Sequence, residues 1–198
     1  MSEITTINGP AGQLELLTEG LDSHRIGILC HPHSQYGGSM HDAVVGVLAE
    51  TCSELDMGVV RFNFRSVGRS EGSFAQGEGE VDDVLAVLDW IQSQHPTAEV
   101  VLGGYSFGAA MALLAAARVQ QHLSRLLLVA PPIQMVESDA ALSIPMKVIV
   151  GGRDTIVSAA AAGQYFSAEQ MAVLPQADHF FTGSFGDLQK ISHEFLQS

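Results

Sequence analysis

Residues Val100–Ala110, read Val-Val-Leu-Gly-Gly-Tyr-Ser-Phe-Gly-Ala-Ala, constrain this chain more than any other stretch. A β-branched, apolar run enters the segment and an alanine-rich run of helical character leaves it. Between them lies Gly104-Tyr105-Ser106-Phe107-Gly108, a G-x-S-x-G spacing on a strand-to-helix turn. The glycines let strand and helix cross where side chains would collide, and the sharp turn lifts the Ser106 hydroxyl clear of the sheet. At the helix start the N–H of Phe107 has no helical partner and can donate to an oxygen on which negative charge develops. A serine that only caps a helix would give the same five letters. The strand before it and the helix after it favour a nucleophile.

The rest of the chain supplies a sheet for that turn to sit on. Glu3–Asn8 and Gln13–Thr18 read as a hairpin about Gly9-Pro10-Ala11-Gly12, and Arg25–Cys30 as a buried strand. A helix is expected from about Met40 to Leu55, a strand over Gly58–Phe64, and a helix over Glu80–Ser93 closed by His95-Pro96. After the central turn, whose helix reaches about Gln120, come strands Leu123–Ala130 and Met146–Val150. A helix follows from Ala159 through Phe166, then strand Met171–Leu174 and helix Ser184–Leu196. Strands alternating with helices after an opening hairpin predict an open, mainly parallel α/β sheet covered on both faces. No repeat or composition shift divides residues 1–198, so a single domain is expected.

Composition narrows the function classes. The formal net charge of −13 opposes a nucleic-acid partner, which needs clustered Lys and Arg, and opposes anionic membrane surfaces for the same reason. The two cysteines, Cys30 and Cys52, fall in apolar runs and read as reduced core residues. The first residues carry neither a basic nor an apolar leader region, and no run is long enough for a membrane span. A cytoplasmic protein without cofactor is the expectation.

Parallel sheets bind ligands at the carboxyl ends of their strands. The groups just past those ends are His31-Pro32-His33, Arg65, Ser106, Pro131, Asp154 and His179. Ser106, Asp154 and His179 follow one of the chain orders in which nucleophile, acid and base occur. A serine hydroxyl needs a base to take its proton, histidine titrates near neutrality, and a carboxylate fixes its tautomer. His179 is the candidate base, in a loop beside Phe180-Phe181. Asp154, after Gly151-Gly152, is the candidate acid, with Asp139 as runner-up; Asp178, next to the histidine in an extended loop, would point away from it. Asp154 also suits the N-terminus of the helix that follows.

His31 and His33, with His41 and Asp42 nearby, invite a zinc reading, but Gln35 and Tyr36 stand where an H-x-H-x-D-H motif needs Asp and His. No metal is expected. The better reading is a loop supplying a second oxyanion N–H, from His33 or from Ser34, with Gly37 and Gly38 letting its backbone pass close by. Arg61, Arg65 and Arg69 form a small basic group. Contacts to Glu71 or to backbone carbonyls fit them better than an anionic substrate. Tyr105 and Phe107 suit the core as well as a pocket wall.

Taken together these residues resemble the α/β-hydrolase family, and within it the small, lidless bacterial serine hydrolases related to dienelactone hydrolases. The matching pieces are Cys30–Gly38, Phe62–Gly72, Gly104–Gly108, Gly151–Asp154 and Asp178–Phe181, spread over nearly the whole chain in family order. The resemblance implies an eight-stranded sheet with its second strand antiparallel, Ser106 as nucleophile, Asp154 as acid and His179 as base. Ser34 stands where such loops often carry proline, and Ser66 where glycine is common. Ser106 also replaces the cysteine of true dienelactone hydrolases. Pro131–Pro145 is too short for the lid that related enzymes insert there, so an open, shallow site is expected.

The function these features predict is cleavage of carboxylic esters of small or flexible acyl substrates through an acyl-enzyme. The oxyanion would be held by the N–H groups of Phe107 and His33. A thioesterase or aminopeptidase could use the same triad, and a non-catalytic binding protein could keep the fold. A homodimer through an exposed apolar helix is open.

Overall fold

A computed structural model describes residues 2–136 and 142–198. The runner-up acid Asp139 lies outside them. Eight strands form one sheet: β1 (Ser2–Gly9), β2 (Gly12–Glu19), β3 (Arg25–Cys30), β4 (Gly58–Phe62), β5 (Glu99–Tyr105), β6 (Arg125–Val129), β7 (Met146–Gly151) and β8 (Met171–Leu174), in the order β1-β2-β4-β3-β5-β6-β7-β8. β2 pairs antiparallel with both β1 and β4, and every other pairing is parallel. The antiparallel second strand is thus where the resemblance places it.

Among the described residues five helices cover the sheet: α1 (Ala43–Glu54), α2 (Glu78–Gln94), α3 (Phe107–Val119), α4 (Ala159–Ala162) and α5 (Phe185–Gln197). The chain moves from β3 through α1 to β4 in one direction along the sheet, and from β4 through α2 to β5 in the other. Right-handed crossovers therefore put α1 and α2 on opposite faces. α1 packs against α5, and α2 against α3. The crevice between the ends of β3 and β5, where the winding reverses, is the place an open α/β sheet offers a ligand. The Ser106 turn leaves β5 there, and the His31–Gly38 loop leaves β3.

The central strands are apolar on both faces because helices cover both. Ile26–Cys30, Val100–Tyr105 and Leu126–Val129 are all buried. α3 is buried along Phe107–Leu113 and again at Ala115 and Ala116, and its alanines let it lie close to the sheet. α5 turns Leu188, Ser192 and Leu196 inward at four-residue spacing. Phe62, Phe64 and Phe107 interlock edge to face beneath the crevice, with centroids 5.0 and 5.7 Å apart. Each buried ring contributes about 2 kcal/mol.

Three departures from the expected element limits have a visible cause. α1 starts at Ala43 because Asp42 caps it, accepting from the N–H of Val44 and Val45. β4 ends at Phe62, since Phe64 N–H turns aside to a histidine ring. The helix expected through Phe166 is the single turn Ala159–Ala162: Gly163 follows, and an alanine run with little to bury cannot offset the cost of extending a helix.

Candidate active site

Ser106 sits at the tip of the β5–α3 turn with φ 52° and ψ −121°, a conformation that costs a residue with a side chain about 1–3 kcal/mol. The surroundings hold it there. Ser106 N–H donates to Val129 O at 2.8 Å, and Ser106 O accepts from Ala109 and Ala110. A side chain at Gly104 would strike Gly108 O, and one at Gly108 would strike the carbonyls of Cys30 and His31. Strand, helix and the β3 loop therefore meet at van der Waals contact only if both positions are glycine.

His179 and Asp154 come to Ser106 from the loops after β8 and β7. His179 Nε2 lies 3.1 Å from Ser106 Oγ, and His179 Nδ1 lies 2.7 Å from Asp154 Oδ2. The Asp154 side chain is fully buried. Its other oxygen accepts from the N–H groups of Ile156 and Val157, both at 2.7 Å, so its orientation is fixed from behind. A carboxylate can only accept, so Nδ1 carries the ring proton and Nε2 is free to take one from the serine. The two loops are tied together, Arg153 N–H donating to Ala177 O at 2.9 Å. Below the ring, Tyr105 Oη donates to His179 O at 2.9 Å. Asp178 is exposed and accepts from Thr182 N–H instead of touching the ring, as its place in the loop predicts.

The backbone N–H of Phe107 finds no acceptor among the described residues, nor do those of His33 and Ser34 opposite it. His33 begins a short 3-10 turn, Ser34–Tyr36, and its ring packs against Phe74 and Phe107 with centroids 4.9 Å away. The loop is closed on itself by Gly38 N–H donating to His33 O at 3.1 Å.

His31 has a different task. Its Nε2 accepts from Phe64 N–H at 3.0 Å, so Nδ1 is the protonated nitrogen and donates to Pro32 O at 2.6 Å. Both nitrogens are consumed in tying the β3 loop to the β4 loop, and burial pushes the imidazole pKa down to about 4. Among the described residues no group of three or more His, Cys, Asp and Glu side chains is arranged to hold a metal ion.

The arginines pair with carboxylates other than the expected Glu71. Arg65 grips buried Asp83 with two prongs, Nη2 to Oδ1 at 2.7 Å and Nε to Oδ2 at 3.0 Å. Arg61 meets Glu19 at 2.6 Å, and Arg69 lies 3.8 Å from Glu15. Glu71 binds Gln13 N–H. Ser66, after Arg65, has φ 68°, the left-handed conformation that explains why glycine is common there.

Ser106 and His179 open onto a cleft of about 540 Å³. Its walls are mainly apolar and include Pro32, Phe107, Pro132 and Met135, with Tyr36, Ile156 and Phe180 standing exposed at its rim. Tyr105 and Phe107 both line the cleft and pack into the core. Asp42 also lines it, a residue the sequence marked only as a neighbour of the histidines.

A family model described as alpha/beta hydrolase fold matches residues 29–181. The chain belongs to the α/β-hydrolase fold family. Among solved members, a serine hydrolase homologue from Coxiella burnetii is 34% identical with a TM-score of 0.90, over 98% of this chain and 97% of the other. XC6422 from Xanthomonas campestris, described as an α/β serine hydrolase without lid, is 37% identical with a TM-score of 0.89, over 99% and 94%. An uncharacterised protein of Rickettsia prowazekii, RP471, is 31% identical over 96% of this chain and 86% of its own length. The lidless α/β-hydrolase architecture agrees with the connection between β6 and β7, which is only residues 130–145. No helix among the described residues is long and apolar enough to cross a membrane.

Proposed function

We propose that this α/β hydrolase cleaves carboxylic esters of small or flexible acyl groups through an acyl-enzyme on Ser106. The observation that carries the reading is the unbroken row from Asp154 Oδ2 through His179 to Ser106 Oγ, at 2.7 and 3.1 Å, opening on an apolar cleft. His179 Nε2 takes the hydroxyl proton as Oγ attacks the ester carbonyl. The charge that develops on the carbonyl oxygen meets the N–H groups of Phe107 and His33. Collapse of this intermediate expels the alcohol, which leaves with the proton held on His179. Water then enters, gives a proton to His179 and attacks the acyl carbon; the carboxylic acid departs and Ser106 recovers its proton. Asp154 holds the ring tautomer and steadies the imidazolium in both halves.

No Lys or Arg lines the cleft among the described residues, which disfavours acyl-CoA thioesters with their anionic phosphates. The absence of a lid leaves the acyl group partly in water, which suits short or flexible chains.

Labelling with a fluorophosphonate, followed by mass spectrometry of the tagged peptide, tests the reading. Stoichiometric modification of Ser106, absent in Ser106→Ala, is expected. A folded protein that does not label would leave the fold as a binding scaffold.

A further inference from the structure

Asp42 brings to the cleft a carboxylate that the proton-transfer row does not use. Its Oδ1 caps α1, accepting from Val44 N–H at 2.9 Å and Val45 N–H at 3.4 Å. Its Oδ2 has no hydrogen-bond partner among the described residues, and the side chain lines the same cleft as Ser106 and His179. Asn, Ser or Thr would cap the helix equally well. The negative charge is therefore surplus to the cap. Its free oxygen leaves a negative charge in the cleft wall that a cation on a bound substrate would meet.

The position of Asp42 says which part of a substrate would bring the cation. Asp42 starts α1, which packs against α5 on one face of the sheet, whereas the oxyanion donor Phe107 starts α3, which packs against α2 on the other. Asp42 is also close enough to His179, which hands its proton to the departing alcohol, for their charges to attract. Tyr36 and Phe180, at 87% and 62% exposure, stand at the rim of the same cleft, and aromatic rings attract ammonium groups. Partial burial raises the Asp42 carboxyl above its ordinary pKa, with the two amides and His179 pulling it back. A bound cation would favour the ionised form further.

From this geometry we infer that Asp42 forms an anionic subsite on the leaving-group side of the cleft, selecting esters whose alcohol carries an ammonium group. The inference rests on the esterase reading above. A pair of esters alike in shape and different in charge tests it: acetylcholine and 3,3-dimethylbutyl acetate, in which carbon replaces the ammonium nitrogen. The expected wild-type preference in kcat/KM for the cationic ester is about ten-fold, shrinking as salt is added. In Asp42→Asn, which keeps an oxygen for the cap, the ratio should fall to near one. In Asp89→Asn, a change of equal charge on the exposed face of α2, the preference should stay.

A ratio near one in the wild type overturns the inference, as does an unchanged ratio in a folded Asp42→Asn protein. Turnover of neither ester by a Ser106 that labels with fluorophosphonate overturns it as well. Loss of labelling itself would bring down the esterase reading, and this inference with it.

Discussion

Two histidines, His31 after β3 and His179 after β8, are both buried at the same end of the sheet and are built into opposite roles. His31 is closed: one nitrogen donates to Pro32 O and the other accepts from Phe64 N–H, so the ring is a strut between two loops. His179 is closed on one side by Asp154 and open on the other, where Nε2 faces a hydroxyl at the floor of a cleft. A histidine whose partners are both backbone groups has no proton to exchange without breaking structure. One held by a carboxylate has a fixed tautomer and a free lone pair. On the proposed mechanism, what separates scaffold from chemistry is which groups the ring nitrogens meet, since both rings are buried.

That contrast can be broken by experiment. The largest effect should come from His179→Ala, which on the proposed mechanism lowers kcat for a p-nitrophenyl ester by about four or more powers of ten. In His31→Ala the folded fraction should lose far less rate than that. Comparable losses in the two variants would erase the distinction. Stability should reverse the order, because His31→Ala orphans Phe64 N–H in the interior, leaves a cavity there and costs about 3 kcal/mol in urea unfolding.

Acid should sharpen the difference. An unfolded chain protonates His31 near its ordinary 6.5, whereas the folded protein resists down to about 4. Between those values the unfolded state binds more protons, so stability present in full above about pH 6.5 is lost as the pH falls, by about 3 kcal/mol in all. Unfolding curves across that window should show the slope in wild type and a shallower one in His31→Ala. The smallest effect is expected for Tyr105→Phe, which leaves His179 O without its buried donor. It should cost about 1 kcal/mol and less than ten-fold in kcat, a loss in kcat marking a loosened His179 loop.

Most of this architecture was legible in the chain. Apolar runs bounded by turn residues located the strands, and β8 matches its expected limits, Met171–Leu174. Ser106, Asp154 and His179 could be picked out because each follows a strand, and the structure brings all three together. What was hidden depends on distance along the chain. Arg65 looked to Glu71 nearby, but the carboxylate that meets it is Asp83 on α2, placed only once that helix packs against the sheet. His31 looked like half of a metal motif because its two backbone partners carry no sequence signature. Asp42 was legible neither as the cap of α1 nor as a wall of the cleft, since the path of the loop before it sets where the helix starts and which way its second oxygen faces. The alanine run at Ala159 overstated its helix because propensity there is not reinforced by packing.

The spread of the reactive groups over the loops after β5, β7 and β8 has a consequence for a chain still being made. Ser106 emerges 73 residues ahead of the histidine that would activate it. A product of early termination, or one clipped between the two, carries a hydroxyl with the reactivity of any alcohol. On the proposed mechanism, synthesis thus proceeds with the site disarmed, and the chain acquires its chemistry only when the last loop of the sheet closes over the work of the earlier ones.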